Sequence, residues 1–211
     1  MSVADRKHWD ERYAALGLAP VLDDPPPNPF LAPIESLMPT TGHALELACG
    51  RGRGAVWLAK RGVDYWGVDV SPIAVELARE LALRSGVGDR CRFDVFDLDN
   101  GLPPGPSVDL LFCHHFVDRR LDDAIVERLA PGGILVVVSL SEVGHGPGDF
   151  RIRPGELLDA FGSLDVLDHA ESEGVARVLA RRQAMPSVSG SSGVRQVSVR
   201  QPKKTQSEEN Q

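Results

Sequence analysis

A short apolar run at residues 44–49 leads into a loop with glycine at positions 50, 52 and 54, and a helical pattern begins directly after it. Glycine lets backbone approach a ligand closely, and the N–H groups that open a helix favour polar or anionic ligand groups. A second strand-like run ends in Asp69, 19 residues after Gly50. That is the spacing at which a carboxylate meets a ribose in nucleotide-binding βαβ units.

The rest of the chain alternates between strand-like and helix-like runs. Strands are predicted at 43–49, 64–70, 91–96, 108–113, 134–140, 164–170 and 175–180, and helices at 53–61, 72–84, 121–129 and 154–161. This order predicts an α/β fold with a mostly parallel sheet between two layers of helices. Only residues 171–174 separate the last two strands, which favours a C-terminal antiparallel hairpin.

Three regions differ in composition. Residues 1–39 combine a predicted helix at 5–16 with five prolines between positions 20 and 29. Trp9 and Tyr13 share one face of that helix, which could either cover a site as a lid or pack on the body for stability. Residues 40–182 form the predicted domain. Residues 183–211 are rich in serine, glutamine and charge, which predicts a disordered tail.

Composition limits the classes of partner. The chain of 211 residues has a formal net charge of −7, and an acidic body argues against a nucleic-acid partner. Its apolar runs fall short of the roughly 18 residues that span a bilayer, so no membrane association is expected. Three cysteines without metal-type spacing and no apolar leader indicate reduced thiols and a cytoplasmic location. The oligomeric state stays open.

Two carboxylates stand out beside the glycine loop. Asp69 could accept both ribose hydroxyls of a nucleotide, or it could simply lie at the start of the helix that follows Ser71. Glu46 lies inside the first predicted strand, where a charge is costly unless it is paired. Alternation places Glu46 on the same face as Ala48 and Gly50, within reach of a ligand amine.

Several motifs together resemble one family. Residues 46–52 read Glu-Leu-Ala-Cys-Gly-x-Gly, and Gly67-Val68-Asp69-Val70-Ser71 follows. With the acid-ended run at 92–98 and the Pro-Gly-Gly turn at 131–133, these segments resemble the class I S-adenosylmethionine-dependent methyltransferases. Trp9-x-x-x-Tyr13 and residues 153–157 are similar to small bacterial enzymes of the tellurite-resistance type and to related small-molecule methyltransferases.

The resemblance implies a Rossmann-like three-layer sandwich with a seven-stranded sheet that ends in the antiparallel pair. It also implies that S-adenosylmethionine is the cofactor, with its methionine part held at the first strand and its adenosine at the second and third. The cofactor-binding residues that it implies are Glu46, Ala48, Cys49, Gly50, Gly52, Asp69, Val70, Asp97, Leu98 and Cys113.

The expected chemistry is in-line transfer of a methyl group to a small-molecule nucleophile. The sulfonium already activates the methyl group, so the protein mainly aligns the acceptor and excludes water. His114 and His115 are the candidate bases, since histidine titrates near neutral pH. The residue types of His114, His115 and Asp118 would suit a metal, but no further ligand pattern supports one, and no metal is predicted.

Two other functions remain open on sequence alone. A nicotinamide-dependent oxidoreductase would share the glycine loop and Asp69, but its first strand is normally aliphatic where this chain has Glu46. A non-catalytic S-adenosylmethionine-binding module would need no residue that this chain lacks. The acceptor atom, whether oxygen, nitrogen, sulfur or a metalloid, also remains open.

Overall fold

The computed structural model describes residues 3–22, 32–148 and 150–184. The α-helices are α1 Val3–Leu16, α2 Arg53–Lys60, α3 Pro72–Arg84, α4 Asp122–Arg128 and α5 Glu156–Phe161. The strands are β1 His43–Leu47, β2 Asp64–Asp69, β3 Cys91–Val95, β4 Val108–His114, β5 Leu129–Ser141, β6 Arg151–Ile152, β7 Asp165–Ser172 and β8 Val175–Arg181.

The strands form one sheet in the order β3-β2-β1-β4-β5-β8-β7. Strands β1 to β5 are mutually parallel, and β8 runs antiparallel between β5 and β7. The predicted α/β class, the mostly parallel sheet and the C-terminal antiparallel pair are confirmed. The sheet has one strand more than expected, because the two-residue β6 pairs with the end of β5. Two residues are too few to produce a periodic signal in a sequence.

Local chemistry explains where the elements begin and turn. The Ser71 side chain accepts a hydrogen bond of 3.1 Å from the N–H of Ala74, so Ser71 is the N-cap of α3. Between β7 and β8, Ser172 pairs with Val175 and leaves a two-residue turn. Glu173 and Gly174 in that turn have φ of 50° and 80°, the left-handed values that tight hairpin turns require.

The core has two layers, one on each side of the sheet. Successive residues of β1 point to opposite layers, so Leu45 and Leu47 pack on the α4 and α5 side. Ala44 belongs to the layer covered by α2 and α3, and alternation places Glu46 on that same side. The strand order reverses between β1 and β4, and ligands bind at such a point in open α/β sheets, beyond the carboxyl ends of the strands.

Parts of the predicted domain division lie outside the described residues. These are most of the proline-rich segment, at 23–31, and nearly all of the predicted tail, at 185–211. The division into 1–39, 40–182 and 183–211 therefore stays a prediction. Each helix within the described ranges is too short or too polar to traverse a bilayer.

Candidate functional site

A cavity of about 830 Å³ lies at the carboxyl ends of β1, β2 and β4. This volume is in the upper part of the range for small-molecule sites, roughly 300–1,000 Å³. Residues from the ends of these strands, from the loop after β1, from α1 and from the segment 150–156 line it. The lining residues that the sequence singled out are Glu46, Ala48, Cys49, Gly50, Asp69, Val70, His114 and His115.

The loop after β1 is held in an unusual backbone conformation. Ala48, Gly50 and Gly52 all have positive φ, at 54°, 52° and 70°. For Ala48 this conformation costs on the order of 1–2 kcal/mol, and such strain is typical of functional loops. A Cβ on Gly52 would lie 2.8 Å from Cβ of Ala78, so this glycine lets the loop pack against α3.

Asp69 fastens the glycine loop to the start of α3. Its Oδ2 accepts a hydrogen bond from the N–H of Gly50, and its Oδ1 accepts one from the N–H of Ser71, both at 2.9 Å. The side chain is buried, and burial raises the pKa of Asp69 although both backbone N–H groups oppose the rise. A carboxylate oxygen can accept more than one hydrogen bond, so Asp69 can still receive ligand hydroxyls.

Glu46 forms the floor of the cavity. It is only 5% exposed, lies between Gly67 and Phe112 of the neighbouring strands, and accepts a hydrogen bond from the Tyr65 hydroxyl at Oε2. Burial raises the pKa of Glu46 to about 8, against the opposing effect of the Tyr65 hydrogen bond. A Cβ on Gly54 would lie 2.9 Å from Oε2, so the first turn of α2 fits over this carboxyl group only with glycine there.

The two histidines stand at the end of β4. Their rings stack with centroids 4.0 Å apart, and His114 also lies parallel to Phe112. Burial, with a smaller effect of His115, lowers the pKa of His114 to about 4, and burial also lowers the pKa of His115. His115 has φ of 58° and donates its backbone N–H to the carbonyl of Val138 at 2.7 Å. At neutral pH both rings are therefore uncharged and able to accept a proton.

Helix α1 covers the cavity. Trp9, Arg12, Tyr13 and Leu16 all line it, and the Tyr13 hydroxyl lies above Gly50, where a Cβ would approach it to 2.9 Å. Burial raises the pKa of Tyr13, so the hydroxyl keeps its proton. The Ser71 hydroxyl donates to Oδ1 of Asp10 at 2.5 Å, which ties the middle of α1 to α3.

Arg51 fastens the other end of α1 to the glycine loop. Its Nη1 donates to the carbonyls of Leu16 and Gly17, at 3.2 and 2.7 Å. The residue that follows Gly50 therefore holds the helix over it.

Four of the residues that the resemblance implied for cofactor binding do not line the cavity: Gly52, Asp97, Leu98 and Cys113. Leu98 and Cys113 are 2% and 1% exposed, within the core layer of α4 and α5. Asp97 is half-buried after β3 and accepts a hydrogen bond of 3.0 Å from the N–H of Asp99, which starts a single 3₁₀ turn.

The family comparison agrees with this geometry. Residues 44–133, from β1 into the start of β5, match the protein family described as "Methyltransferase domain". Residues 44–133, less than half of the chain, are thus similar to a methyltransferase domain. The resemblance inferred from the sequence is thereby confirmed.

Named relatives of the methyltransferase domain differ in what they act on. The chain is 29% identical over 120 residues to a probable chloroplastic tocopherol O-methyltransferase of Oryza sativa, covering 54% of this chain and 33% of that protein. It is 31% identical over 113 residues to a 2-heptyl-1-hydroxyquinolin-4(1H)-one methyltransferase of Mycobacteroides abscessus, covering 50% and 49%. The chain thus spans about a third to a half of the length of these curated relatives.

The fold of the methyltransferase domain is shared with solved structures. TehB from Haemophilus influenzae superposes with a TM-score of 0.63 at 16% identity, covering 74% of this chain and 62% of that one. At this level of identity the likeness concerns the fold alone.

Tyr65, Arg51 and Phe150 are among the residues at the site that escaped the sequence analysis. Tyr65 pairs with Ala44 in the sheet, and nothing local in the sequence reveals that its hydroxyl reaches Glu46. Arg51 lies between two glycines of the loop, where an arginine carries no signal of a contact with α1. Phe150 follows a glycine-rich loop, where an aromatic residue carries no periodic signal.

Arginines and acids at the cavity rim are matched with each other. Arg120 forms ion pairs with Asp118 and Asp99, and Arg119 pairs with Asp122 at 2.7 Å and Glu156 at 3.4 Å. Within residues 3–22, 32–148 and 150–184, no group of three histidine, cysteine or acidic side chains is arranged as a metal site.

Proposed function

We propose that this chain is an enzyme that transfers a methyl group from S-adenosylmethionine to a small-molecule nucleophile. The observation that carries the proposal is the buried Glu46 carboxyl group below the glycine loop, with Asp69 at the end of the adjacent strand. A pyrophosphate above Glu46 would gain no attraction, because the carboxyl group, whose pKa burial raises, would stay protonated beside it. An ammonium group would be attracted, as an amino-acid headgroup requires.

The side chains around the loop fit such a cofactor. Glu46 faces the ammonium group, and the backbone of residues 48–50 holds the rest of the methionine part. Asp69 receives the ribose hydroxyls on oxygens already oriented by Gly50 and Ser71. Val70 would lie beside the adenine, and the resemblance assigns the adenine amine to Asp97, which lies after β3 and outside the cavity wall. The buried Leu98 and Cys113 support these walls from behind.

The bound cofactor supplies a methyl group made electrophilic by the sulfonium. The chain itself holds the acceptor in line, and its α1 roof keeps water away from the reacting atoms. For an acceptor that must lose a proton, His115 is the better base. His115 is more exposed than His114, and the pKa of about 4 makes His114 a weak proton acceptor.

Two features support a small acceptor. The cavity is lined by α1 and by the segment 150–156, and its volume of about 830 Å³ is that of a small-molecule site. The two named relatives are enzymes for tocopherol and for a hydroxyquinolinone, both small molecules. Nothing in the site favours the oxidoreductase or the non-catalytic module.

Calorimetry with S-adenosylhomocysteine and with NADH tests the cofactor. We expect S-adenosylhomocysteine to bind at least a hundredfold more tightly than NADH. Glu46→Gln should weaken S-adenosylhomocysteine binding about tenfold without changing binding of 5′-methylthioadenosine, which lacks the amino-acid part. Binding of NADH with no binding of S-adenosylhomocysteine would refute the proposal.

A transfer assay with labelled S-adenosylmethionine tests catalysis. A panel of phenols, amines, thiols and tellurite should give one or more methylated products. Tight cofactor binding with no transfer to any acceptor would instead identify a binding module.

A further inference from the structure

The cavity has two chemically different halves. The half at β1 and β2 carries the glycine loop, Glu46 and Asp69, which the proposed function assigns to the cofactor. The other half lies beyond β4 and β5. It is lined by aromatic and apolar side chains from three separate parts of the chain: Trp9, Phe116, Val117, Phe150 and Ile152. The strand order separates the halves. Strands β1 and β4 are neighbours in the sheet, with β2 and β3 on the far side of β1 and β5 on the far side of β4.

Phe150 is unusual in this second half. It is 74% exposed, although the burial of a phenylalanine ring is normally favourable, and its backbone has φ of 61°. A non-glycine residue in the left-handed region is uncommon, and such residues cluster at ligand clamps. Phe150 thus displays an aromatic ring at the cavity entrance in a conformation that costs stability.

The ring of Phe150 is matched by a second ring across the entrance. Trp9 of α1 and Phe150 have centroids 6.5 Å apart with an angle of 63° between their planes. Atoms of stacked groups lie roughly 3.5–4 Å apart, so two rings about 7–8 Å apart enclose one further flat ring. Because the two planes are inclined at 63°, Phe150, which is 74% exposed, must turn as well as move outward before a flat ring can lie between the pair.

Both carboxylates named for this half are paired with arginines. Asp118 is paired with Arg120, and Glu156 with Arg119. Arg151 donates hydrogen bonds from its Nη1 to the carbonyls of Ser141 and Gly174, at 2.6 and 3.3 Å. Aromatic surface is therefore what this half offers to a ligand.

We propose that the methyl acceptor is a planar aromatic compound whose ring inserts between Trp9 and Phe150, with a hydroxyl group on that ring as nucleophile. This inference rests on the proposed function and names its substrate class. The acceptor oxygen forms a bond to the methyl carbon while the carbon–sulfur bond breaks and its electron pair stays on sulfur. The hydroxyl proton passes to the uncharged His115 imidazole, so the products are an aryl methyl ether, a neutral thioether and an imidazolium that returns its proton to water.

Binding to the protein saturated with S-adenosylhomocysteine tests the inference without the influence of nucleophile reactivity. The probes are 2-naphthol and its saturated counterpart decahydro-2-naphthol, which has the same skeleton and hydroxyl group but no π-system. We expect 2-naphthol to bind at least tenfold more tightly. Equal affinity, or no binding of 2-naphthol at millimolar concentration, overturns the proposal.

Two substitutions locate the ring site. Phe150→Ala should weaken 2-naphthol binding about tenfold and leave decahydro-2-naphthol within twofold, whereas Phe150→Tyr should retain wild-type affinity. Leu83→Ala is the matched control, because Leu83 is 69% exposed on α3 and does not line the cavity. An unchanged affinity in Phe150→Ala overturns the proposal. Since Phe150 is largely exposed, its substitution should not unfold the protein, which thermal melting checks.

A transfer assay completes the test. Mass spectrometry should detect the methyl ether of 2-naphthol or of 8-hydroxyquinoline, and transfer to thiols or tellurite alone overturns the aromatic assignment. S-adenosylhomocysteine affinity, measured first, separates the two proposals. If that compound fails to bind, the proposed function is wrong. If it binds and the aromatic preference is missing, only the present inference is wrong.

Discussion

At the scale of single residues, Glu46 lies where its neutral form is favoured. The carboxyl group is buried and receives one hydrogen bond, from Tyr65, among the described residues, so burial outweighs that bond and raises the pKa to about 8. At pH 7 the Glu46 carboxyl group of the ligand-free protein is therefore mostly protonated. An ammonium ligand selects the ionised form, so its binding must displace a proton.

We predict that S-adenosylhomocysteine binds more tightly as pH rises. Below the Glu46 pKa of about 8, the ionised fraction of Glu46 rises about tenfold for each unit by which pH rises. The affinity for S-adenosylhomocysteine should therefore rise five- to tenfold between pH 6 and pH 7. Calorimetry in buffers of different ionisation heat should also detect proton release. Glu46→Gln keeps the Tyr65 contact but cannot ionise, so its affinity should be low and independent of pH. If the affinity of the wild-type protein does not change between pH 6 and pH 7, this interpretation of Glu46 is wrong.

Asp69 serves both the ligand and the loop, which sets what its substitution does. In Asp69→Asn one side-chain oxygen is replaced by an NH₂ group, which faces the N–H of either Gly50 or Ser71. A buried N–H without an acceptor costs about 1–3 kcal/mol, which lowers the melting temperature by about 2–10 °C. We expect this loss together with a more than tenfold weaker affinity for S-adenosylhomocysteine. Melting curves and calorimetry measure the two effects. If the variant keeps the wild-type melting temperature and the wild-type affinity, Asp69 neither stabilises the loop nor binds the ligand.

At the scale of elements, α1 depends on long-range contacts. Arg51 holds its last turn and Asp10 holds its middle, so the glycine loop and the helix above it move as one unit. Arg51→Ala removes the contact with the carbonyls of Leu16 and Gly17. Amide hydrogen exchange in residues 13–17 should then accelerate by tenfold or more, and S-adenosylhomocysteine should dissociate several-fold faster. Arg84→Ala, at the exposed end of α3, is the control and should change neither rate.

The hairpin turn between β7 and β8 allows backbone strain to be separated from steric overlap. Gly174 has φ of 80°, and an added Cβ would lie 2.4 Å from the His145 ring. Gly86 has φ of 71° with nothing within 4 Å. Gly86→Ala should cost about 1–2 kcal/mol in the free energy of unfolding, from backbone strain alone. Gly174→Ala should cost clearly more, as urea denaturation will measure. Equal losses would mean that the turn moves away from His145 at no cost.

At the scale of the whole molecule, the cavity joins elements that are distant in sequence. A ligand that contacts β1, β2 and α1 together stabilises only the folded chain. S-adenosylhomocysteine at a hundred times its Kd should add about 2.7 kcal/mol, which raises the melting temperature by about 5–10 °C. Differential scanning calorimetry checks this, with adenosine at the same concentration as the weaker-binding comparison. No shift at saturating ligand would contradict binding to the folded state.

The fold was predictable because its signals are local and repeated. The strand and helix periods, the Ser71 cap and the short 171–174 connection each depend on neighbouring residues. The candidate site was predictable where it coincides with the glycine loop and with the strand ends that carry Glu46, Asp69, His114 and His115. Tyr65, Arg51 and Phe150 act through contacts that only the folded chain creates, so their residue types alone reveal nothing. Leu98 and Cys113, which the family motif assigns to cofactor binding, are buried in the core, and that assignment stays a prediction.

The antiparallel direction of β8 determines on which side of the protein a linker attached after this strand would lie. Because β8 runs opposite to its neighbour β5, Arg181 lies beside Ile134, at the start of the parallel part of β5 and at the opposite edge of the sheet from the cavity. The Arg182 N–H donates to the carbonyl of Gly133 at that same edge. A linker or solid support attached directly after Ala184 would therefore leave from the underside of the molecule. The protein could be immobilised there as a sensor or a catalyst with its entrance facing the solution.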